Sequence, residues 1–112
     1  MTNKTYTPLL IQSVKAAADL EQHRFVGFDG NYCAAGAKAY GVSDVSTAKG
    51  QLAPVALFGN LLVIAGGAIT AGDAVASDSD GKAIKAEGNA IVNGYALDSG
   101  IAGDEIRIVR GI

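Results

Sequence analysis

Two side chains in this sequence are of the types that most often do nucleophilic or acid–base work, His23 and Cys33, and each residue type occurs once. A catalytic histidine needs a partner that orients its ring, and a nucleophilic cysteine needs a base or cation beside it to hold the thiolate. Neither sits in such a pattern. His23 lies in Gln22-His23-Arg24, where a turn is expected, and Cys33 follows Tyr32 in a strand-like run, where cysteine behaves as a small buried hydrophobe. One histidine and one cysteine cannot build a structural zinc site of the usual kind within one chain. Asp78-Ser79-Asp80-Gly81 imitates the middle of a calcium loop, with Glu87 downstream, but the position that should open the loop with a carboxylate is Ala76. Asp80-Gly81 by itself is a hairpin signal. Asp73 and Asp104 stand in equivalent Gly-Asp turns, so a paired-carboxylate site needs those turns to face each other; a shared turn role explains the recurrence without chemistry. Glycine loops of the Walker or dinucleotide type are absent. The expectation is a protein with no catalytic residue, no metal and no cofactor, hence not an enzyme.

The bulk of the chain fits that reading. At 112 residues it is long enough for one domain and too short for two. Hydrophobic residues make up 49%, which excludes a disordered body, yet aromatics are only 6% and the apolar mass is Ala, Val, Ile and Leu. The 15 glycines punctuate short apolar runs, as expected for many short strands joined by tight turns. The net charge of −2, without a basic stripe, gives nucleic-acid binding no electrostatic footing. A lone cysteine and an opening Met1-Thr2-Asn3-Lys4-Thr5 without an apolar core suggest a protein made in the cytoplasm.

The elements follow from the same spacing. Residues 1–12 read as an extended N-terminal arm: Thr5-Tyr6-Thr7 favours extended backbone, Pro8 blocks helix, and Leu9-Leu10-Ile11 is an apolar tip without a local partner. Such an arm either pairs with its own sheet or adds a strand to another chain. Residues 13–112 form the single β-rich domain. Ser13 can cap one or two helical turns carrying Val14, Ala17, Ala18 and Glu21. From Gly50 to Gly72 no residue is charged, which is long enough for a membrane span. Pro54, Gly59, Asn60, Gly66 and Gly67 interrupt that stretch, and it reads as two strands, Val55-Ala56-Leu57-Phe58 and Leu61-Leu62-Val63-Ile64, around a two-residue Gly59-Asn60 turn. No membrane association is expected. The Asp-Gly turns, the glycine-led segments at Gly41 and Gly94, and the strands toward Phe58 and Val109 recur about fifty residues apart. The fold class is therefore mainly β: a small compact barrel or sandwich of two quasi-repeated hairpin units, with the arm and at most one or two short helices.

The order and spacing of these segments resembles the capsid decoration, or cement, proteins of tailed-phage heads. The resemblance runs through Arg24-Phe25-Val26, Ala39-Tyr40-Gly41-Val42-Ser43, Val55-Ala56-Leu57-Phe58-Gly59, Ala71-Gly72-Asp73-Ala74-Val75, Asp78-Ser79-Asp80-Gly81-Lys82, Asn93-Gly94-Tyr95-Ala96 and Ile106-Arg107-Ile108-Val109. Where that family often has glycine in the first turn, this chain has Gln22-His23. The resemblance implies a structural virion protein on the outer capsid surface, homotrimeric, binding the major capsid protein where its subunits meet. The arm residues Thr5, Tyr6, Thr7, Pro8, Leu9, Leu10 and Ile11 would contact the shell. The alternative is a small non-viral β module that binds a peptide or carbohydrate.

Overall fold

The computed structural model describes residues 5–111, so residues 1–4 of the expected arm lie outside the described residues. Eight strands occur in chain order: β1 (Thr7–Lys15), β2 (Phe25–Val26), β3 (Gly41–Ser43), β4 (Leu52–Ile64), β5 (Ala74–Ser77), β6 (Ala83–Lys85), β7 (Gly94–Ala96) and β8 (Glu105–Arg110). They form one antiparallel sheet in the order β2-β3-β4-β8-β7-β5-β6, with β1 paired to β4 off that path. The sheet curls until its ends meet. Phe25 N–H donates to Gly81 O at 2.6 Å and Gly36 N–H to Ser77 O at 3.0 Å, tying the β2 end to the β5–β6 end. The result is a nearly closed barrel of 35 × 31 × 25 Å. Closure removes most of the unpaired edge that an open sheet leaves.

Small and β-branched side chains fill the interior. Phe25, Leu61, Val63, Val75, Ile106 and Ile108 are fully buried in one cluster; Ala16, Leu20, Val26, Ala53 and Val55 form a second. Each large side chain so buried contributes roughly 1.5–3 kcal/mol. Ile106 and Ile108 are buried while Arg107 between them is not, the alternation of a half-buried strand. Two buried polar groups lock the loops. Asn93 accepts from Ala39 N–H at 2.9 Å and donates to Ala37 O at 3.0 Å, and the Ser43 hydroxyl donates to Glu21 O at 2.6 Å.

Two sequence expectations need correction. No helix occurs among the described residues, and Ser13, rather than capping one, pairs with Pro54 inside β1. A one-turn helix nucleates poorly. The extended path gives this segment a ladder to β4, and then buries Ala16 and Leu20, which bond to Gln51 O and to Thr47. The second correction concerns Gly59-Asn60, which does not reverse the chain: β4 runs unbroken for 13 residues. Gly59, at φ 117°, sits where the β1 register shifts between Pro8 and Leu10, so its left-handed backbone accommodates a bulge instead of a turn. Here β4 has partners on both sides, Thr7 and Pro8 of β1, and Val109 and Arg110 of β8. Turning at Gly59 would forfeit both ladders. The expected Asp80-Gly81 turn does join β5 to β6, with Gly81 at φ 73°.

Candidate functional site

The residue types that could do chemistry are not gathered together. Asp73 accepts from Thr70 N–H at 2.9 Å and Asp104 from Ile101 N–H at 3.0 Å, so each carboxylate closes its own turn. Asp78 does the same for Asp80 and Lys82, both at 2.9 Å. The Cys33 thiol is buried, donates weakly to Ala34 O and Ala37 O at 3.4 Å, and is pushed above the usual thiol range chiefly by burial. A thiol so placed stays protonated. Among the described residues no group of three His, Cys, Asp or Glu side chains could hold a metal.

His23 has the most unusual placement. It is the one non-glycine described residue with positive φ, 63°, and its side chain turns inward. Its Nε2 lies 3.6 Å from Glu105 Oε2, its ring meets the edge of Tyr6 at 6.3 Å, and its Nδ1 is buried without a partner. Burial lowers its pKa, and the Glu105 and Asp44 charges oppose that shift. The ring packs under the start of β1, where Tyr6 donates a short hydrogen bond to Asp44. Burial, then that bond, then the Asp44 charge raise the tyrosine pKa, so Tyr6 remains an un-ionised anchor.

From that anchor the residues expected to touch a partner run along β4. Thr5 accepts at 3.1 Å from both Asn60 and Arg107. Thr7 pairs with Asn60, Pro8 with Gly59, Leu10 with Phe58 and Ile11 with Ala56, and Leu9 is the unpaired residue of the register shift. Leu9 is 77% exposed, and Leu10 and Ile11 are also exposed. β1 pairs only with β4, so its other edge carries no strand among the described residues. Beside β1 the sheet surface dips into a groove of about 610 Å³, walled by Leu9 and Leu10 on one side and by Val109 and Arg110 on the other, with Phe58 and Asn60 between. A second hollow of about 230 Å³ shares Phe58, Val109 and Arg110 and reaches Tyr95. The β4 and β8 contributions were not expected from sequence. Val109 and Phe58 read there as ordinary strand residues, and no local signal places a strand end from residue 110 beside one from residue 7.

The described residues thus form a nearly closed β barrel with an exposed apolar strand and a groove, and Asp73, Asp78 and Asp104 close their own turns. The comparisons with known proteins say what kind of protein this is. Residues 7–112 match the family model of phage cement proteins, and the chain belongs to that family. Among solved structures it resembles the N-terminal base of head fiber gp8.5 of bacteriophage phi29, with a TM-score of 0.75 and 23% identity over 91% of this chain and 93% of that one. At that identity the likeness speaks for the fold. No curated protein matches. The chain is thus a structural virion protein associated with the outer surface of a phage head capsid, and the alternative of a non-viral binding module gives way.

Proposed function

We propose that this protein cements the shell by binding the major capsid protein where its subunits meet, as a homotrimer, with residues 5–11 as the contacting arm. The observation that carries this reading is the exposure of Leu9, Leu10 and Ile11 on a strand with one open edge. Three adjacent large apolar side chains gain nothing from facing water, and an open strand edge is a ready template for another chain. Tyr6, bonded to Asp44, anchors the start of β1 to the barrel. A trimer presents three such arms together, so weak single contacts add through effective concentration. A ligand that binds the assembled shell and not the free subunit stabilises the shell by mass action.

The test is co-sedimentation of the purified protein with expanded, empty heads assembled from the major capsid protein, alongside light scattering to give the oligomeric state. Binding to shells but not to free subunits, by a trimer, is the expected result. Replacing Leu9, Leu10 and Ile11 together by serine should leave the barrel folded and lower occupancy on shells at least tenfold. Unchanged occupancy would remove the arm from the interface, and a monomer that ignores shells would end the proposal.

A further inference from the structure

The segment proposed to touch the shell runs through the least regular part of the β1–β4 ladder. Pro8 has no N–H to donate. The pairing then slips by one residue between Pro8 and Leu10 and slips back between Leu10 and Ile11, so Leu9 on β1 and Leu57 on β4 stand outside the register. Residues 11–15 pair regularly with residues 56–52. A strand whose ladder is broken near its leading end should fray from that end. Side chains oppose this. Tyr6 packs against the core cluster around Phe25, and its hydroxyl donates to the Asp44 carboxylate. Thr5 Oγ1 accepts from Asn60 Nδ2 and Arg107 Nη1, both at 3.1 Å, and Arg107 is itself held by Asp98 at 2.9 and 3.0 Å. Leu9 and Leu10 are therefore clamped from two sides, by the side chains of residues 5 and 6 and by the regular ladder from residue 11 onward. Between the clamps Gly59 lets the strands approach, since a Cβ there would collide with Thr7 O and lie 3.0 Å from Leu9 N.

We infer that Tyr6 is a positioning residue for shell binding. Its bond to Asp44 keeps β1 laid on β4 before any contact, so residues 9–11 meet the shell as a preformed strand and not as an arm that detaches and folds on binding. This builds on the shell-binding role proposed for residues 5–11 and adds the mode of attachment. A strand ordered beforehand loses no binding energy to its own ordering. Any fraction of molecules with β1 open cannot bind, and it lowers the apparent affinity in proportion.

The test uses the full-length protein and empty expanded heads. Thr7 and Asn60 are direct ladder partners, so Thr7→Cys combined with Asn60→Cys can form a disulfide that locks the leading end of β1 to β4. The disulfide should form in the free protein, and the oxidised form should bind heads at least as tightly as its own reduced form. Without the lock, Tyr6→Phe should weaken binding at least about threefold with the circular-dichroism spectrum intact. Asp44→Ala should do the same, and Asp44→Asn, whose amide oxygen still accepts from Tyr6, should lose less. Added to the oxidised lock, Tyr6→Phe should have no effect, because the disulfide then holds the strand. A lock that abolishes binding until it is reduced, or that never forms in the free protein, overturns the inference. So does a Tyr6→Phe loss of equal size with and without the lock, since Tyr6 would then act by touching the shell, or a Tyr6→Phe variant that binds like the wild type. If the wild-type protein ignores heads, or the triple serine variant binds undiminished, the shell-binding role of residues 5–11 fails instead.

Discussion

The barrel holds two stretches with the same backbone pairing and different surroundings. In the first, Ala16 N–H donates to Gln51 O, Gly50 N–H to Ala16 O, and Leu20 and Thr47 exchange bonds. In the second, Ala65 N–H donates to Asp104 O, Gly103 N–H to Ala65 O, and Ile69 and Gly100 exchange bonds. Val42–Ala56 and Ser43–Val55 in the first correspond to Tyr95–Val109 and Ala96–Ile108 in the second. The strands that lead into these ladders differ in exposure. Before Ala16 runs β1, exposed along most of its length, while before Ala65 runs the second part of β4, where Leu61, Leu62 and Val63 are buried. One backbone arrangement therefore serves two ends. Where the leading strand is covered it builds the core, and where it is uncovered its side chains face solvent.

The largest test of this comparison uses the paired bridge residues. Leu20 and Ile69 are 2% and 4% exposed at matching places. Leu20→Ala and Ile69→Ala should each lower stability by about 2–5 kcal/mol, read by urea denaturation. In a domain whose whole stability is about 5–15 kcal/mol, both losses will be conspicuous. If one variant loses less than about 1 kcal/mol and the other more than about 3, the two ladders do not carry equivalent loads, and the comparison breaks.

A finer test uses two glycines that open matching strands. A Cβ added at Gly41 would lie 2.5 Å from Ala56 O and 2.6 Å from Val55 Cγ1, whereas at Gly94 its nearest contacts, Ile108 Cδ1 and Val109 O, lie at 3.1 Å. The first clash involves backbone and cannot relax by rotamer change. Gly41→Ala should cost about 2–3 kcal/mol, in the range of overpacking, and Gly94→Ala about 1 kcal/mol or less. Thermal melts of the two variants rank them. An equal or reversed ranking would mean that the strands flanking β3 are looser than those flanking β7.

How far the sequence disclosed this molecule depended on whether a signal was local. The β class, the Asp80-Gly81 turn, the alternation of β8 and the turn at His23 are set by neighbours within a few residues, and they were legible. Gly59-Asn60 misled because the dipeptide favours a hairpin by itself, while its actual state is fixed by strands near residues 8 and 110 that ladder to both sides of β4. Ser13 misled for the same reason, since a helical pattern of a few residues loses to a nine-residue ladder. Among the candidate contact residues, Leu9, Leu10 and Ile11 were expected either to pair with the chain's own sheet or to add a strand to another chain, and they lie on β1, which pairs with β4 and leaves their side chains exposed. The far wall of the groove could not be seen that way, because Val109 and Arg110 reach Leu9 only through the pairing of both with β4.

The smallest expected effect isolates one chemical difference between the matching turns, His23 against Gly72. His23 N–H bonds Ser43 O as Gly72 N–H bonds Ala96 O, and both residues have positive φ, 63° and 93°. Glycine adopts that conformation freely and histidine does not, yet the imidazole is held against Tyr6 and Glu105. Burial lowers its pKa, so the unfolded chain takes up a proton at a higher pH than the folded one. The stability linked to a neutral His23 is complete above the unfolded value of about 6.5 and is lost as pH falls below it. Asn tolerates positive φ and does not titrate. His23→Asn should therefore flatten the fall in melting temperature between pH 7.5 and 5.5, with little change at pH 7.5. The acid sensitivity should also be one-sided, with amide exchange quickening at Leu20 and His23 before Ile69 and Gly72. Equal slopes in the wild type and His23→Asn, or simultaneous opening of both turns, would show that acid acts through carboxylates elsewhere and that the two turns respond alike.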